Sequence, residues 1–376
     1  NPIERTQFSR DSRLLLTCAS DGETRLWSVA PAPERVLLGH QSPYADLQQR
    51  KDGALVSAAP DSLRVWDVAR GTATVLPSPL AATGSQFTQS FDARWLIELG
   101  TDLYVTEVAT GQTHVLAHGQ FKAAGLTDHN LLFAAGADGR AWLFDLESQG
   151  GHPLASAPTV PSVAECTHDG RWCATGGDDA IVRVYDMKTG AIRSLSGDES
   201  KILKLVFSHD GNLLASSGSD LALRVWDPAT GAVRELRGHA SSVEGLAFSP
   251  VDDTLASTSS DGTARLWSIA KGQSRVLDTG GFAEVLAFSP DGKQLLTGHV
   301  DGVLRTWDVE SAALLAVWRG HAGAIQSVYV AHDGTYAATY GDDHTLRVWP
   351  LPATAPRAPA ELTSARLVSD RRAVTP

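Results

Sequence analysis

The chain has 376 residues, 43% of them hydrophobic, with 43 acidic against 32 basic side chains and a formal net charge of -11. That length buries one large core or two ordinary ones, and the acidic balance argues against duplex binding, which draws its affinity from clustered Lys and Arg. The longest uninterrupted apolar run, residues 312–318, has seven members, well short of the ~18 that suggest a membrane span. Three cysteines make no disulfide framework and fit a reducing compartment, so a cytoplasmic location is expected. Cys166 and Cys173 flank the turn THDGRW, a spacing that allows them to sit opposite one another on a hairpin, with a disulfide as one alternative; the positions in register with them elsewhere hold the apolar Phe288 and Leu295, so two buried thiols are the expected case. Residue 1 is Asn rather than Met, which points to further sequence upstream. Arg outnumbers Lys 25 to 7, a usage that suggests a GC-rich, bacterial genome.

Taken in chain order, one phrase keeps returning. It reads SDGETRLWSV at 20–29, PDSLRVWDV at 60–68, the worn TDLYVTEV at 101–108, ADGRAWLFDL at 137–146 and DDAIVRVYDM at 178–187. It continues as SDLALRVWDP at 219–228, SDGTARLWSI at 260–269, VDGVLRTWDV at 300–309 and DDHTLRVWPL at 342–351. The position near its end is occupied in turn by Trp27, Trp66, Thr106, Phe144, Tyr185, Trp226, Trp267, Trp307 and Trp349, in steps of 38 to 42 residues. Self-similarity at such a period marks a repeat architecture.

Each unit parses into four short strands. In the eighth, EVLAFSP alternates apolar and polar residues, SPDGK turns, QLLTG is a second strand, VDG turns again, VLRTWDV is a third strand and ALLAVW a fourth. A lone meander of this size leaves both faces of its sheet unburied. Neighbours packed side by side cover those faces, and radial closure leaves no first and last sheet exposed. The unit boundaries fall near 1–40, 41–80, 81–118, 119–157, 158–198, 199–239, 240–280, 281–321 and 322–349. Beyond them, residues 350–359 hold four prolines and form a stiff link, 360–370 resemble a last outer strand (TSARLVSD beside GQSRVLDT at 272–279), and 371–376 are a tail.

The terminal Trp-Asp pairs (Trp66-Asp67, Trp226-Asp227, Trp307-Asp308), the Gly-His pairs (Gly39-His40, Gly238-His239, Gly320-His321) and the turns FSPDG, FSRDS and FSHDG make the chain resemble the WD-repeat β-propeller family. The resemblance implies an all-β fold of four-stranded antiparallel blades. Nine units predict nine blades in one ring, with seven or eight in one ring and the remainder in a second as the alternative. Relatives latch the ring with an N-terminal strand in the last blade; Asn1 leads almost directly into a first strand, so no latch is expected here.

The family also implies a buried tetrad in each blade: the His after Gly, a hydroxyl of the second strand, an Asp of the next turn and the Trp of the third strand. The matching sets are His40, Ser57, Asp61 and Trp66; His239, Ser257, Asp261 and Trp267; and His321, Thr339, Asp343 and Trp349. Hydroxyl, imidazole and carboxylate are also the ingredients of acyl transfer, but a catalytic constellation occurs once, in a cleft, beside an oxyanion site. Three copies around a ring read as structural. Units five, six and eight keep the hydroxyl and the Asp (Thr175 and Asp179, Ser216 and Asp220, Thr297 and Asp301) without the Gly-His pair.

Other chemistry finds little support. His129, His168, His209 and His332 sit in first-to-second strand turns of different blades, a poor basis for zinc ligands ~2.0 to 2.1 Å from one centre. The pairs Asp178-Asp179 and Asp342-Asp343 lack the spacing of a calcium loop, so no metal and no cofactor is expected. No phosphate-binding, esterase or zincin motif is present. Arg25, Arg64, Arg183, Arg224, Arg265, Arg305 and Arg347 all precede the aromatic position by two; stacking on rings or pairing with acidic neighbours is the expected role, a polyanion-binding ring the alternative.

The resemblance therefore implies a non-catalytic platform or sensor module that binds a protein or peptide, as a regulatory part of a larger multidomain polypeptide with other domains of that polypeptide among its partners, and without nucleic acid or membrane. Its partner surface would lie on the rim entering the first strands and before the third, at Ser162, Asp178, Leu203, Ser219, Glu244, Ser260, Glu284, Gln326 and Asp342. The acidic bias of these positions favours a basic or hydrogen-bonding ligand. An enzyme with a site in the propeller channel is the remaining alternative.

Overall fold

Eight four-stranded sheets and one three-stranded sheet, all antiparallel, account for the strands of the computed structural model, and no helix occurs among its described residues. The structure describes residues 94–154, 159–197 and 200–351 throughout; before residue 94 it describes the strands and a few residues beside them, with side chains given only in part and only from Leu47 onward. The chain divides into two units, residues 35–351 and the remainder.

The local chemistry of one blade explains all of them. In blade 7, strands Ala283–Phe288, Gln294–His299, Val303–Asp308 and Leu314–Arg319 pair in sequence order. Between the first two, Ser289 Oγ donates to Asp291 (2.6 Å) and the Lys293 N–H donates to the same carboxylate (3.1 Å), which fixes the turn. Gly292 there has φ +68°, a left-handed conformation that costs a residue with a Cβ, and Gly170, Gly211 and Gly334 repeat it in other blades. The second strand is buried along its whole length while the fourth is largely exposed, so the fourth strands form the outside of the molecule and the first strands lie nearest its axis.

Blades 1 to 8 span residues 46–76, 86–118, 121–153, 161–196, 202–237, 243–278, 283–319 and 325–350. Apolar clusters join each blade to the next. Val56 and Leu63 meet Leu96 and Val108 across the first junction, Leu214 and Trp226 meet Val182 and Val184 across the fourth, and Leu296 and Leu304 meet Ile325 and Trp349 across the seventh. The circuit closes where Leu47, Leu55 and Trp66 of blade 1 pack against Tyr340, Leu346 and Val348 of blade 8. Each blade thus hides faces that it has no means of covering alone.

The ring holds eight blades, which corrects the nine expected from the repeat count. The reason is a strand exchange. Strand Arg35–Leu38, the fourth strand of the first repeat, pairs with Thr345–Pro350 and completes blade 8, with Leu38 opposite Thr345 and Val36 opposite Arg347. The latch that the early first strand argued against is therefore present, placed one strand before blade 1. The other three strands of the first repeat, Ile3–Phe8, Leu14–Ala19 and Thr24–Ser28, form the separate three-stranded sheet. The expected outer strand at 360–370, the tail at 371–376 and most of the proline-rich link lie outside the described residues.

A second correction concerns the cysteines. Cys166 and Cys173 are directly opposite in the register of blade 4, with Cα atoms 4.0 Å apart, and they are joined by a disulfide rather than standing as two thiols. No helix of the described residues is long and apolar enough to cross a membrane.

Candidate functional site

In blade 6 the structure brings together His239, Ser257, Asp261 and Trp267. The Trp267 indole N–H donates to Ser257 Oγ (2.8 Å), Ser257 faces His239 Nε2 (2.7 Å), and His239 Nδ1 faces Asp261 (2.9 Å). Only one assignment satisfies every partner: Ser257 donates to Nε2, and a neutral imidazole donates from Nδ1 to the carboxylate. Burial pushes the His239 imidazole down and keeps it neutral despite the nearby carboxylate. Burial alone would raise the Asp261 carboxyl, but hydrogen bonds from the Ala240 N–H, Thr263 and His239 outweigh it and hold the group well below the usual carboxylate range.

Blade 8 repeats the arrangement with Trp349 donating to Thr339 (2.8 Å), Thr339 against His321 (2.8 Å) and His321 against Asp343 (2.8 Å). In blade 1, Trp66 donates to Ser57 (2.7 Å), while His40 and Asp61 lie outside the described residues.

Blades without the Gly-His pair solve the same problem with other residues. In blade 7 the buried His299, two residues beyond Thr297 on the second strand, places Nε2 2.9 Å from the Thr297 hydroxyl, which also accepts from Trp307 (2.9 Å). The imidazole comes from the strand instead of the loop, a substitution that motif matching missed because the histidine sits outside the expected dipeptide. In blades 4 and 5 the Asp reaches its own strand's arginine. Arg183 pairs with Asp179 and Arg224 with Asp220, each at 2.6 Å, and both guanidiniums are buried.

Blade 4 also keeps a cavity of about 10 Å³ whose lining includes Thr159, Thr175, Gly177, Arg183 and Tyr185. Gly177 matches Gly341, against which His321 packs in blade 8. The size of the cavity admits one water.

The regular arginines find their partners within their own blades. Arg305 lies 3.5 Å from Asp301 and Arg347 3.6 Å from Asp343. Arg265 donates to the Gly238 carbonyl (2.6 Å) and to Ser274 (3.0 Å) and lies over the Trp267 ring; Arg64 lies over Trp66. Arg25 is outside the described side chains.

A second set of arginines, unnoticed in the sequence, clasps neighbouring blades at the outer edge. Arg193 donates to the Thr230 carbonyl (3.3 Å), Arg234 to that of Ala270 (3.1 Å) and Arg275 to that of Val309 (2.6 Å). In each case a fourth-strand guanidinium covers carbonyls in the third-to-fourth strand turn of the following blade.

The rim residues fall into two groups. Glu244, Ser260, Glu284, Gln326 and Asp342, from blades 6, 7 and 8, share one region. Ser242 donates to Glu244 (2.6 Å), Ser260 lies 3.4 Å from the same carboxylate, and Gln326 donates to Asp342 (3.0 Å). Burial pushes the Glu284 carboxyl up, and the negative charges of Asp342 and Glu244 push it further, so three blades contribute carboxylates to one field; Lys204 offsets it in part. Asp178 pairs with Lys201 (2.8 Å) on blades 4 and 5. Ser162 and Leu203 are half-buried and Ser219 is exposed.

At the opposite turns, His168 faces Asp128 (3.0 Å) and its ring lies 5.2 Å from that of His209, while His332 packs beside Tyr329. Blades 4 and 5 do bring His168 and His209 together, yet no group of three or more His, Cys, Asp or Glu side chains among the described residues is arranged to hold a metal ion.

The geometry has counterparts among known proteins. The model of the WD domain, G-beta repeat matches residues 2–28, 146–186, 190–227, 231–268, 283–308 and 312–350, more than half of the chain. The stretch it passes over contains the worn third and fourth repeats with Thr106 and Phe144. The chain is 33% identical over 215 residues to the nuclear distribution protein nudF of Aspergillus niger, covering 55% of this chain and 45% of that protein. To nudF of Emericella nidulans it is 34% identical over 179 residues, covering 46% and 37%. It thus spans less than half the length of these curated relatives, which are fungal and lend no support to the bacterial source that the Arg usage suggested. Among solved structures it is similar to the computationally designed Ika8 protein, with a TM-score of 0.71 and 25% identity over 84% of this chain and 98% of that one. With the repeat, the blade tetrads and the ring in agreement, the chain belongs to the WD domain, G-beta repeat family of β-propellers.

Proposed function

We propose that the propeller is a non-catalytic interaction platform whose acidic rim on blades 6 to 8 takes a basic segment of a partner protein. The observation that carries this reading is the gathering of rim carboxylates from adjacent blades, Glu244 held by Ser242, Asp342 by Gln326, and Glu284 between them, whose carboxyl is raised first by burial and then by the charges of Asp342 and Glu244. Carboxylates that act on one another in this way favour a Lys- or Arg-rich ligand, both by steering its approach and by relieving their mutual repulsion. Against catalysis in the blades stands the state of Ser257, which is buried and already accepts from Trp267, leaving its oxygen no access to a substrate.

We further propose that the propeller works as the interaction part of a larger polypeptide, a reading supported by relatives of which it covers less than half.

Fluorescence anisotropy with a Lys/Arg-rich peptide and an acidic peptide of equal length tests the rim. Binding of the basic peptide alone is expected, weakening at least ten-fold in the triple variant Glu244→Lys, Glu284→Lys, Asp342→Lys and declining with added salt. Equal binding by the variant would remove the rim from the account.

A further inference from the structure

The outer strand of blade 7 departs from a pattern that its neighbours keep. Two fourth-strand residues lie opposite the regular arginine and the aromatic of each blade. In blade 4 they are Ser194 and Ile192, in blade 5 Glu235 and Val233, and in blade 6 Val276 and Ser274, so each of these blades places a polar side chain at one of the two positions. In blade 7 both are aliphatic: Val317 is opposite Arg305 and Leu314 opposite Trp307, and a bulge between them inserts Leu315 as an extra residue.

All three side chains face solvent on the circumference of the ring. Leu314 is 48% exposed, Leu315 41% and Val317 42%, whereas the fourth strands of blades 2, 4, 5 and 6 each expose at most one large apolar side chain. Apolar groups gathered in this way are favourably removed from water against another apolar surface. The bulge interrupts the backbone ladder, which favours contact through side chains over a continued sheet.

The charges at its two ends select the occupant of this strip. The turn leading into the strand carries Glu310, the strand ends at Arg319, both are exposed, and the residues between them carry no charge. A second copy laid antiparallel sets the three aliphatic side chains against their own equivalents and brings each Arg319 toward the other copy's Glu310. A parallel copy would oppose like charges. Such self-complementarity is what a two-fold interface requires.

We propose that the outer strand of blade 7 is the contact through which two copies of this chain associate, antiparallel about a two-fold axis and centred on Leu314, Leu315 and Val317. The contact uses none of the rim carboxylates and stands whether or not the rim binds a basic ligand.

Sedimentation equilibrium of the whole chain tests the association. A contact one strand wide is smaller than the ~1,200 Å² of standard interfaces, so a monomer-dimer equilibrium with a dissociation constant of about 10–100 μM is expected. Leu314→Ser with Val317→Ser is expected to weaken it at least ten-fold. Glu310→Arg and Arg319→Glu are each expected to weaken it about five-fold, and the two together to restore it, because the exchanged charges again meet their opposites. The substituted side chains are exposed, and circular dichroism checks that each variant keeps the fold. A chain that stays monomeric well above that concentration range would overturn the proposal and leave the strip to a different partner. Association unchanged by the serine pair would overturn it by placing the contact elsewhere, and a charge exchange that fails to restore association would overturn the antiparallel arrangement.

Discussion

What Ser257 is able to do is decided by the indole beside it. The Trp267 N–H occupies one lone pair of Oγ, the hydroxyl proton goes to His239, and the imidazole proton goes to Asp261. Every polar atom has a directed partner, and removing one leaves another orphaned in a buried site, at a cost of about 1–3 kcal/mol. The residue types and spacing of this arrangement were legible in the sequence wherever the Gly-His pair survives. His299 was not, because the imidazole reaches the same hydroxyl from a different point of the backbone.

Glu165 was missed for another reason. It sits half-buried on the first strand of blade 4, at the place that Val206, Ala247 and Ala287 fill in the next three blades, and burial pushes its carboxyl up to about 7. Alternation of apolar and polar residues tolerates a glutamate there; only alignment of the strands in register reveals that its equivalents are apolar. A carboxyl with a raised folded pKa contributes stability that is fully present below the ordinary carboxylate value and is lost as pH rises through about 7. Glu165→Gln is therefore expected to stabilise the fold by about 1–2 kcal/mol at pH 8 and by little at pH 4, read from denaturant midpoints at both values. An equal gain at the two values would assign the effect to packing.

At the scale of strands and turns, local sequence accounts for most of what is observed. The Ser-Pro-Asp-Gly-Lys turn, the left-handed Gly292 and the buried second strands follow from residue types alone. Contacts between blades do not, since they join residues about 35 apart whose pairing depends on how adjacent sheets are set against each other. The arginine clasp is the clearest case. Arg275 is exposed, and in the sequence it looks like an ordinary solvated cation, yet it donates to the carbonyls of Val309 and Glu310 in the next blade. Arg275→Ala is expected to cost about 0.5–1.5 kcal/mol in chemical denaturation, and to speed hydrogen exchange in the turn after Asp308 while leaving blade 4 unchanged. No change at that turn would reduce the contact to a surface coincidence.

For the whole molecule, the repeat announced a radial stack of sheets but not how many of them the ring would hold. Counting Trp27 through Trp349 gives nine units, and the ring closes with eight because a short strand, Arg35–Leu38, pairs across the full length of the sequence with Thr345–Pro350. Nothing in RVLL distinguishes a strand that pairs with its own repeat from one that latches the last blade, since both uses present the same residues to the same kind of partner. The cysteine pair misled similarly: apolar equivalents at Phe288 and Leu295 argued for thiols, while the register that sets Cys166 directly opposite Cys173 favours a bridge.

Oxidative cross-linking across the latch tests the closed eight-bladed ring most directly. Arg347→Cys combined with Val36→Cys should give an intramolecular disulfide, because those residues are opposite one another in blade 8, whereas Arg347→Cys combined with Leu367→Cys should give none. The reverse outcome, a bond from 347 to 367 and none to 36, would mean that each repeat keeps its own fourth strand, and the account of an eight-bladed ring closed by a borrowed strand would be wrong.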